Sequence, residues 1–270
     1  MMKKTTILLS KAAFFEVLFK LPLAYFLILS FIITGCSRSD LRDSYIVTGR
    51  SCPDVGDNYI VNSKKILIDA SHDGGTWWFP QSINTGFSNT NPHQGKALAD
   101  YLRSKGFIVD ELPGYTPITS TLLQQYDKII RAGGYGVYTA PEFNAYENFL
   151  KGKSSLFLIS EFQRSGETDL LAQRIGIDFN GTYSGLVNLY APHNITAGAV
   201  PFYYNAGSIV TNSSTNPEIQ ILAWLDNNIN LPVGGILKHP NSKIFFLGEI
   251  NGIEKLPQPF INNITNYLFE

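Results

Sequence analysis

KILIDASHDGG, residues 65–75, is a short apolar run that ends in polar side chains and a pair of glycines. Helices cover both faces of a parallel β-strand, so such a strand reads as a continuous apolar run, and α/β sheets bind ligands at its carboxyl end. We therefore predict a buried strand over 65–70, with Asp69, His72 and Asp73 at the end that faces a ligand.

The loop that follows, residues 71–92, is rich in Gly, Asn, Thr, Ser and Pro and carries Trp77 and Trp78. Loops of this length within a domain are commonly functional or disordered, and the aromatic side chains argue against disorder. Beside His72, the tryptophans suit a stacking platform for a sugar or a peptidoglycan fragment. The alternative is that the rings pack under the loop as a small core of their own.

Apolar strands alternate with amphipathic helices in the first half of the domain, which indicates βαβ units and a parallel sheet. Short strands with turn-like connections follow, and the last of them, 243–248, is predicted to return to the main sheet before a closing helix over 259–269. The predicted fold class is α/β: a flavodoxin-like, mainly parallel sheet flanked by helices, with a β-rich C-terminal extension, in a single domain over 64–270. The earlier strands are predicted at 65–70, 107–110, 128–132 and 155–160, and the helices between and after them at 92–105, 119–125, 141–150 and 168–175.

The N-terminus has the pattern of a secretory signal peptide: Lys3 and Lys4, an apolar core over 21–34, and then Gly35 and Cys36. Small residues followed by Cys resemble the bacterial lipobox, in which the Cys is lipidated and becomes the first residue of the mature protein. The alternative is an uncleaved membrane helix, but the apolar core is shorter than the roughly 20 residues that span a bilayer.

We therefore predict a lipoprotein signal peptide over 1–35 and a lipidated N-terminus and tether over 36–63. Palmitate or a similar lipid on Cys36 would be the membrane anchor, and Cys52 would then have no disulfide partner. Ser37 after the lipidated position resembles the outer-membrane signal of familiar Gram-negative lipoproteins. The expected location is the bacterial cell envelope, lipid-anchored at the outer membrane and facing the periplasm or the surface.

The composition excludes some partners. The formal net charge is -1 and charged residues make up 16% of the chain, which argues against nucleic acid as a partner. Aromatic residues make up 13%, which fits a surface that stacks on sugar-like ligands as well as a core that packs many rings.

Several short motifs resemble the class I glutamine amidotransferase-like fold, and more narrowly the ThuA-like domains of bacterial envelope proteins. They are the strand followed by Asp69-x-x-His72, the Ala-x-x-Leu-x-x-x-Gly helix that ends at Gly106, and a strand that ends in Gly133-Gly134. A Ser-Glu strand end at Glu161, a His193-Asn-Ile-Thr segment and a final Gly-Glu strand at Glu249 continue the resemblance. It implies an amidotransferase-like domain over 64–270.

The sequence departs from that family at the positions of the catalytic residues. The resemblance implies a nucleophilic Cys after the third strand and a His-x-Glu pair near the end of the domain, but residues 133–136 read GGYG and residues 248–251 read GEIN. Because thiolate attack needs a sulfur atom and a base within hydrogen-bond reach, glutamine hydrolysis by that mechanism is excluded.

The carboxyl ends of the predicted parallel strands collect the candidate site residues. As catalytic candidates we select His72, Asp73, His93, Glu161 and Glu249. As ligand-binding candidates we select Asp69, Trp77, Trp78, Arg131, Tyr135 and His193.

Each of these residues also has a structural interpretation. Asp69 and His72 could bond the backbone of the long loop, His193 could belong to a capped turn, and His239 is predicted in a hairpin turn. His72 and His93 are ligand types that zinc accepts, together with Asp73, Glu161 or His193. No compact metal-ligand spacing supports a metal, so no metal and no cofactor is predicted.

Our first functional hypothesis is a binding or scaffold role in glycan or nutrient handling at the cell envelope, with the membrane lipid and a glycan or envelope protein as partners. The alternative is a hydrolase, possibly metal-assisted, that acts on a carbohydrate or envelope polymer and would need two facing carboxylates. A third possibility is a structural envelope protein without a ligand. The missing nucleophile favours a protein that is not an enzyme.

Overall fold

The structure is a computed structural model, and it describes residues 65–72, 93–112, 114–134, 137–164, 167–251, 253 and 256–270. The predicted signal peptide, the tether and both cysteines lie outside these residues. So do four of the candidate site residues: Asp73, Trp77, Trp78 and Tyr135.

A nine-stranded sheet organises the described residues, in the spatial order β2-β1-β3-β4-β9-β8-β7-β5-β6. Its strands are β1 (Lys65–Asp69), β2 (Ile108–Leu112), β3 (Lys128–Ala132), β4 (Ser154–Ile159), β5 (Phe179–Tyr190), β6 (Phe202–Val210), β7 (Ile219–Leu225), β8 (Pro232–Lys238) and β9 (Ser242–Leu247). The helices are α1 (Lys96–Ser104), α2 (Ser120–Leu123), α3 (Ala140–Lys151), α4 (Leu170–Ile175) and α5 (Gln258–Phe269), with a 3-10 turn over Asn194–Thr196.

The sheet is mixed, so the prediction of a mainly parallel sheet was wrong. β2, β1, β3, β4 and β9 run parallel to one another, whereas β9, β8, β7, β5 and β6 form antiparallel pairs. Short connections explain the difference, because a strand that returns after a few residues can pair only antiparallel. Between β8 and β9 only residues 239–241 intervene.

The last strand returns to the parallel half of the sheet, as predicted. β9 pairs parallel with β4, and Leu156 lies opposite Ile244. The C-terminal strands therefore extend the same sheet instead of forming a separate layer.

The sequence analysis predicted no strand where β5 lies. Residues 179–190 include Gly181 and Gly185, and polar side chains alternate with them on an exposed face. Glycine weakens strand propensity, so this segment lacks the β-branched run that marks the other strands.

Helices cover the parallel strands on both faces. Ile66 and Ile68 of β1 pack in one core with α1 and α5, whereas Leu67 packs in a second core with α3. Successive side chains of a strand point to opposite faces, so Asp69 lies on the same side as Leu67, toward α3. No helix among the described residues is long and apolar enough to cross a bilayer.

Candidate functional site

Asp69 ends β1 as a buried carboxylate with three hydrogen bonds. Its Oδ1 accepts from the backbone N of Ser71 at 3.0 Å and from the Ser71 Oγ at 2.5 Å. Its Oδ2 accepts from the hydroxyl of Tyr146, on α3, at 2.5 Å. An Asp that bonds the backbone two residues later forms a tight local turn, and this turn directs the chain away from the strand.

His72 follows this turn and contacts three side chains. Its Nδ1 lies 2.8 Å from Ser71 Oγ, and its Nε2 lies 3.4 Å from Oε1 of Glu142. The imidazole stacks on the ring of Tyr138, with ring centroids 4.2 Å apart and an interplanar angle of 17°. The imidazole is therefore held on one face and at both nitrogens.

Glu142 belongs to the capping box at the start of α3. Its carboxylate accepts from the backbone N of Thr139 at 2.8 Å and from the backbone N of Ile118 at 3.0 Å. Burial alone would raise the pKa of Glu142, but these backbone hydrogen bonds, with a smaller contribution from His72, outweigh it and hold the pKa below its ordinary value. Glu142 is thus a fixed negative charge beside the His72 ring.

Two buried donors lie next to this group. Among the described residues, neither the hydroxyl of Tyr138 nor the Nε of Arg131 has a hydrogen-bond partner. Burial, followed by the charge of Asp69, raises the pKa of Tyr138 well above its ordinary value, so this phenol stays protonated. Buried polar groups are nearly always satisfied, so each such donor requires an explanation.

Arg131 is otherwise bound into the sheet. Its Nη2 donates to Oδ2 of Asp169 at 2.5 Å, and its Nη1 donates to the carbonyl of Gly133. Asp169 also accepts from Ser160 Oγ at 2.9 Å and caps α4 through the backbone N of Ala172. The ion pair therefore holds the end of β3 to α4.

His93 lies on the β2 side of the sheet. Its Nε2 is 3.2 Å from Oε2 of Glu111, and Arg103 donates to Oε1 of the same carboxylate at 2.6 Å. Burial alone would raise the pKa of Glu111, but the hydrogen bonds from His93 and Arg103 outweigh it and lower the pKa. The structure thus places His93 in a buried ionic group between α1 and β2.

Glu161 and Glu249 are both fully buried beyond the ends of β4 and β9. Glu161 accepts from the backbone N of Phe162 at 2.9 Å and from Nδ2 of Asn251 at 3.1 Å. The paired strands place Ile159 opposite Leu247, and the two glutamates each follow two residues later. Burial, followed by the charges of Glu249 and Glu161, raises the pKa of Tyr204 well above its ordinary value.

His193 caps the 3-10 turn after β5. Its Nδ1 accepts from the backbone N of Ile195 at 3.1 Å, and its ring meets that of Tyr267 edge-on, with centroids 5.9 Å apart. His239 lies in the β8–β9 turn, where its Nδ1 faces the backbone N of Asn241 at 3.4 Å.

The structure thus distributes the described candidates over separate places. Asp69, His72 and Arg131 lie at the ends of β1 and β3, His93 lies against β2, and Glu161 and Glu249 lie at β4 and β9. Among the residues that the structure describes, no three His, Cys, Asp or Glu side chains are grouped to hold a metal ion.

Sequence reasoning missed four residues of the group at the end of β1: Ser71, Tyr138, Glu142 and Tyr146. We call these residues, with Asp69 and His72, the β1-tip cluster. One local signal existed, since Thr139-Ala-Pro-Glu142 is a capping box that marks the start of a helix directly after the third strand. A helix that begins there starts at the carboxyl edge of the sheet.

A cavity of about 200 Å³ opens at the opposite edge, near the amino ends of β3 and β4. Leu123, Tyr126, Asp127 and Phe149 are among the residues that line it. It contains none of the residues selected from the sequence.

Comparisons with known proteins identify the fold. No protein-family model matches the sequence, and no curated protein matches it significantly. Among solved structures, the mmIFT52 N-terminal domain is similar, with 17% identity over 75% of this chain and 94% of that chain and a TM-score of 0.53. A putative ThuA-like protein from Bacteroides uniformis has 15% identity over 79% of this chain and 93% of that chain, with a TM-score of 0.50. The described residues therefore have the fold of ThuA-like proteins, which is class I glutamine amidotransferase-like.

A cold-adapted β-galactosidase from Rahnella sp. R3 is also similar, with 15% identity over 76% of this chain and a TM-score of 0.50. This chain spans only 31% of that enzyme's chain. At such identities the likeness concerns the fold alone, because one fold carries many functions.

Proposed function

We propose that this chain is a lipid-anchored protein of the bacterial cell envelope whose α/β domain binds a glycan or a related polar nutrient at the β1-tip cluster. The observation that carries the proposal is the stack of His72 on Tyr138 at 4.2 Å. Tyr138 is buried and holds the imidazole in place, so the partly exposed His72 is the ring that a sugar, with its apolar faces and polar edges, would contact.

The position of this stack in the chain supports the proposal. His72 is the last described residue before the loop that carries Trp77 and Trp78. Ligands of open α/β sheets bind outside the carboxyl ends of the strands, which is where this loop begins. Glu142 and Ser71, at either side of the imidazole, would orient the hydroxyl groups of a sugar.

The test is calorimetric titration of the detergent-solubilised full chain with neutral oligosaccharides and soluble peptidoglycan fragments. The double variant Trp77→Ala/Trp78→Ala is expected to bind at least about tenfold more weakly, by analogy with base–aromatic stacking, in which each stacked base contributes about 1–3 kcal/mol. Trp224→Ala, in β7, is the matched control and is expected to bind normally. Absence of binding by the unmodified chain, or equal binding by the double variant, would contradict the proposal.

A hydrolase is the second candidate, and the positions of Glu161 and Glu249 favour it. Both are buried. Ile159 of β4 lies opposite Leu247 of β9, and Glu161 and Glu249 come two residues after them, so the two glutamates follow neighbouring strand ends. Retaining glycosidases use two carboxyl groups about 5–5.5 Å apart, and the ends of two neighbouring strands can present such a pair. Release of reducing ends from envelope glycans by the full chain, and its loss in Glu161→Gln, would support this candidate.

A further inference from the structure

Ser71 has the contacts of an activated hydroxyl. Its Oγ lies between Oδ1 of Asp69, at 2.5 Å, and Nδ1 of His72, at 2.8 Å. Nucleophilic serines are recognised by a base within about 2.6–3.2 Å of the hydroxyl, with a third group that orients the base. The distance from Ser71 to His72 satisfies the first condition. The hydroxyl donates its one proton to Asp69 in this structure, so it must turn toward Nδ1 of His72 before attack.

Glu142 is the candidate for the third group, because it faces the other nitrogen of the ring at ion-pair distance. Its Oε1 lies 3.4 Å from Nε2 of His72, the nitrogen remote from Ser71. The carboxylate cannot easily turn away, because the backbone N atoms of Thr139 and Ile118 both donate to it. In the order Ser71, His72, Glu142, the side chains have the roles of a nucleophile, a general base and a carboxylate that orients the base.

A donor for the substrate oxygen is present as well. Tyr138 is only 4% exposed, and among the described residues its hydroxyl has no acceptor. The ring stacks on His72, and the hydroxyl lies close enough to Asp69 for that charge to affect its pKa. Because its ring stacks on His72, which contacts Ser71, we assign this O–H as the donor to an oxygen bound beside Ser71.

We propose that Ser71 is a nucleophile, and that Ser71, His72 and Glu142 hydrolyse small, uncharged acyl esters at the β1-tip cluster. Ser71 is 4% exposed, which limits the acyl group to a small one such as acetyl. Asp69 and Glu142 place negative charge around the hydroxyl, which disfavours an anionic acyl group. This activity goes beyond the binding role proposed above and uses none of the carboxylates of the glycosidase candidate.

The steps balance without a cofactor. The Ser71 O–H first turns from Oδ1 of Asp69 to Nδ1 of His72. Ser71 Oγ then forms a bond to the acyl carbon while its proton passes to Nδ1 of His72, and the oxyanion accepts the hydrogen bond of Tyr138. The ester C–O bond then breaks, and the alcohol leaves with the proton from His72. Water attacks the acyl-serine, His72 takes a proton from this water, and the carboxylic acid leaves as Ser71 regains its proton.

A purely structural role for Ser71 is the competing explanation. The bonds from Ser71 to Asp69 close a local turn, and such a turn requires neither His72 nor Glu142. The two explanations differ in one property that can be measured, because a turn residue does not form a covalent acyl intermediate.

The experiment is incubation of the full chain in detergent with p-nitrophenyl acetate and, separately, with a small fluorophosphonate, followed by peptide mass spectrometry. The expected result is one acetyl or phosphonyl group on Ser71 and release of p-nitrophenol. Ser154→Ala removes a buried serine at the opposite edge of the sheet and is expected to react like the unmodified chain.

Four variants decide between the explanations. Ser71→Ala is expected to remove the label, and His72→Gln to slow labelling at least about 100-fold, whereas Tyr138→Phe, which breaks no described hydrogen bond, is expected to slow p-nitrophenol release about tenfold. Glu142→Gln is expected to change the pH profile of labelling, which a merely structural residue would not do.

An unlabelled Ser71 in the folded, unmodified chain would overturn the proposal, and so would equal labelling of the His72→Gln variant. Folding of each variant is checked by its thermal transition. Because the probes carry no sugar, failure of this test leaves the glycan-binding proposal standing, and failure of glycan binding leaves this one standing.

Discussion

Tyr138 and Tyr146 are two buried tyrosines in the β1-tip cluster that differ in one respect. The Tyr146 hydroxyl donates to Asp69 at 2.5 Å, whereas the Tyr138 hydroxyl has no partner among the described residues. A hydrogen bond to a charged group contributes about 1.5–3 kcal/mol, whereas a buried donor without a partner costs about 1–3 kcal/mol of lost hydration. The same substitution at the two positions should therefore have different effects.

We expect Tyr146→Phe to lower the free energy of unfolding by about 1.5–3 kcal/mol, because Asp69 loses a donor in a buried place. Tyr138→Phe is expected to raise it, by up to about 1–3 kcal/mol, because the substitution removes a buried donor without a partner. Urea unfolding of the two variants beside the unmodified chain measures both. Equal losses would mean that the Tyr138 hydroxyl is satisfied in solution.

Glu111 makes the stability of the fold depend on pH. Its folded-state pKa lies below the ordinary 4.5, since the hydrogen bonds from His93 and Arg103 outweigh burial. A carboxyl with a lowered pKa stabilises the fold fully above its unfolded pKa and loses that contribution as the pH falls through the folded pKa. The stability of the chain should therefore fall below about pH 4.5, in part because of Glu111.

Glu111→Gln is expected to lower the free energy of unfolding at pH 7 by about 1.5–3 kcal/mol and to make its fall between pH 5 and pH 3 shallower. Urea unfolding across this range measures both effects. Glu147→Gln, which removes an exposed ion pair to Arg174, is the control and should change stability by less than about 1 kcal/mol. If the free energy of unfolding of Glu111→Gln falls as steeply between pH 5 and pH 3 as that of the unmodified chain, another carboxyl group causes the loss of stability in acid.

At the scale of the element, close packing around β8 constrains Gly235. A Cβ added there would lie 2.3 Å from the carbonyl oxygen of Gln220, on β7, and 2.9 Å from Cζ of Phe246, on β9. The backbone oxygen cannot move without disturbing the ladder between β7 and β8. Gly235 thus sets how closely the antiparallel strands approach.

We expect Gly235→Ala to lower the free energy of unfolding by about 1–3 kcal/mol through overpacking. Gly152→Ala is the matched control, because a Cβ there meets its nearest atom at 3.5 Å and the backbone conformation suits alanine. That substitution is expected to raise stability by about 0.4–1 kcal/mol by restricting the unfolded chain. Thermal unfolding of both variants tests the pair, and a Gly235→Ala variant as stable as the unmodified chain would contradict it.

Elements with a strong local signal could be predicted from the sequence. The apolar run 65–70 forms β1, and residues 243–248 contain most of β9. β5 could not be predicted, since Gly181 and Gly185 interrupt it and its pairing with β6 and β7 supplies what its local propensity lacks. Pairing partners are distant in sequence, so a local pattern does not contain them.

The same limit applies to the β1-tip cluster. Asp69 and His72 could be selected because a strand end is visible in the sequence. Tyr138, Glu142 and Tyr146 could not, because their relevance depends on how α3 packs beside β1, and this packing joins residues about seventy positions apart. No local sequence pattern shows which helix residues will pack against the end of a given strand.

At the scale of the whole molecule, β9 joins two kinds of sheet. It pairs parallel with β4 and antiparallel with β8, so the βαβ half and the hairpin half form one continuous sheet. A buried apolar strand has the same sequence pattern whether its neighbour runs parallel or antiparallel. The sequence therefore could not distinguish a mixed sheet from a mainly parallel one. The candidate sites at β1, β3, β4 and β9 all belong to the parallel half, at its carboxyl edge.

The whole-molecule proposal with the sharpest test is the lipid anchor, because the chain contains its own control. Its only cysteines are Cys36 and Cys52, and only Cys36 follows an apolar core and small residues. One acyl chain gives marginal membrane binding and two or more give stable anchoring, so lipidation should place the full chain in the membrane fraction.

In a bacterial host given a palmitate analogue, we expect Cys36→Ala to lose the label and at least about nine-tenths of the membrane-bound protein. Cys52→Ala is expected to keep both, because Cys52 does not follow the apolar core and small residues that mark the predicted lipidation site. A label that persists in Cys36→Ala, or that Cys52→Ala removes, would contradict a lipid on Cys36. Membrane retention of Cys36→Ala without a label would instead indicate that the apolar segment 21–34 remains uncleaved, and the domain would then be tethered by a protein segment and not by lipid.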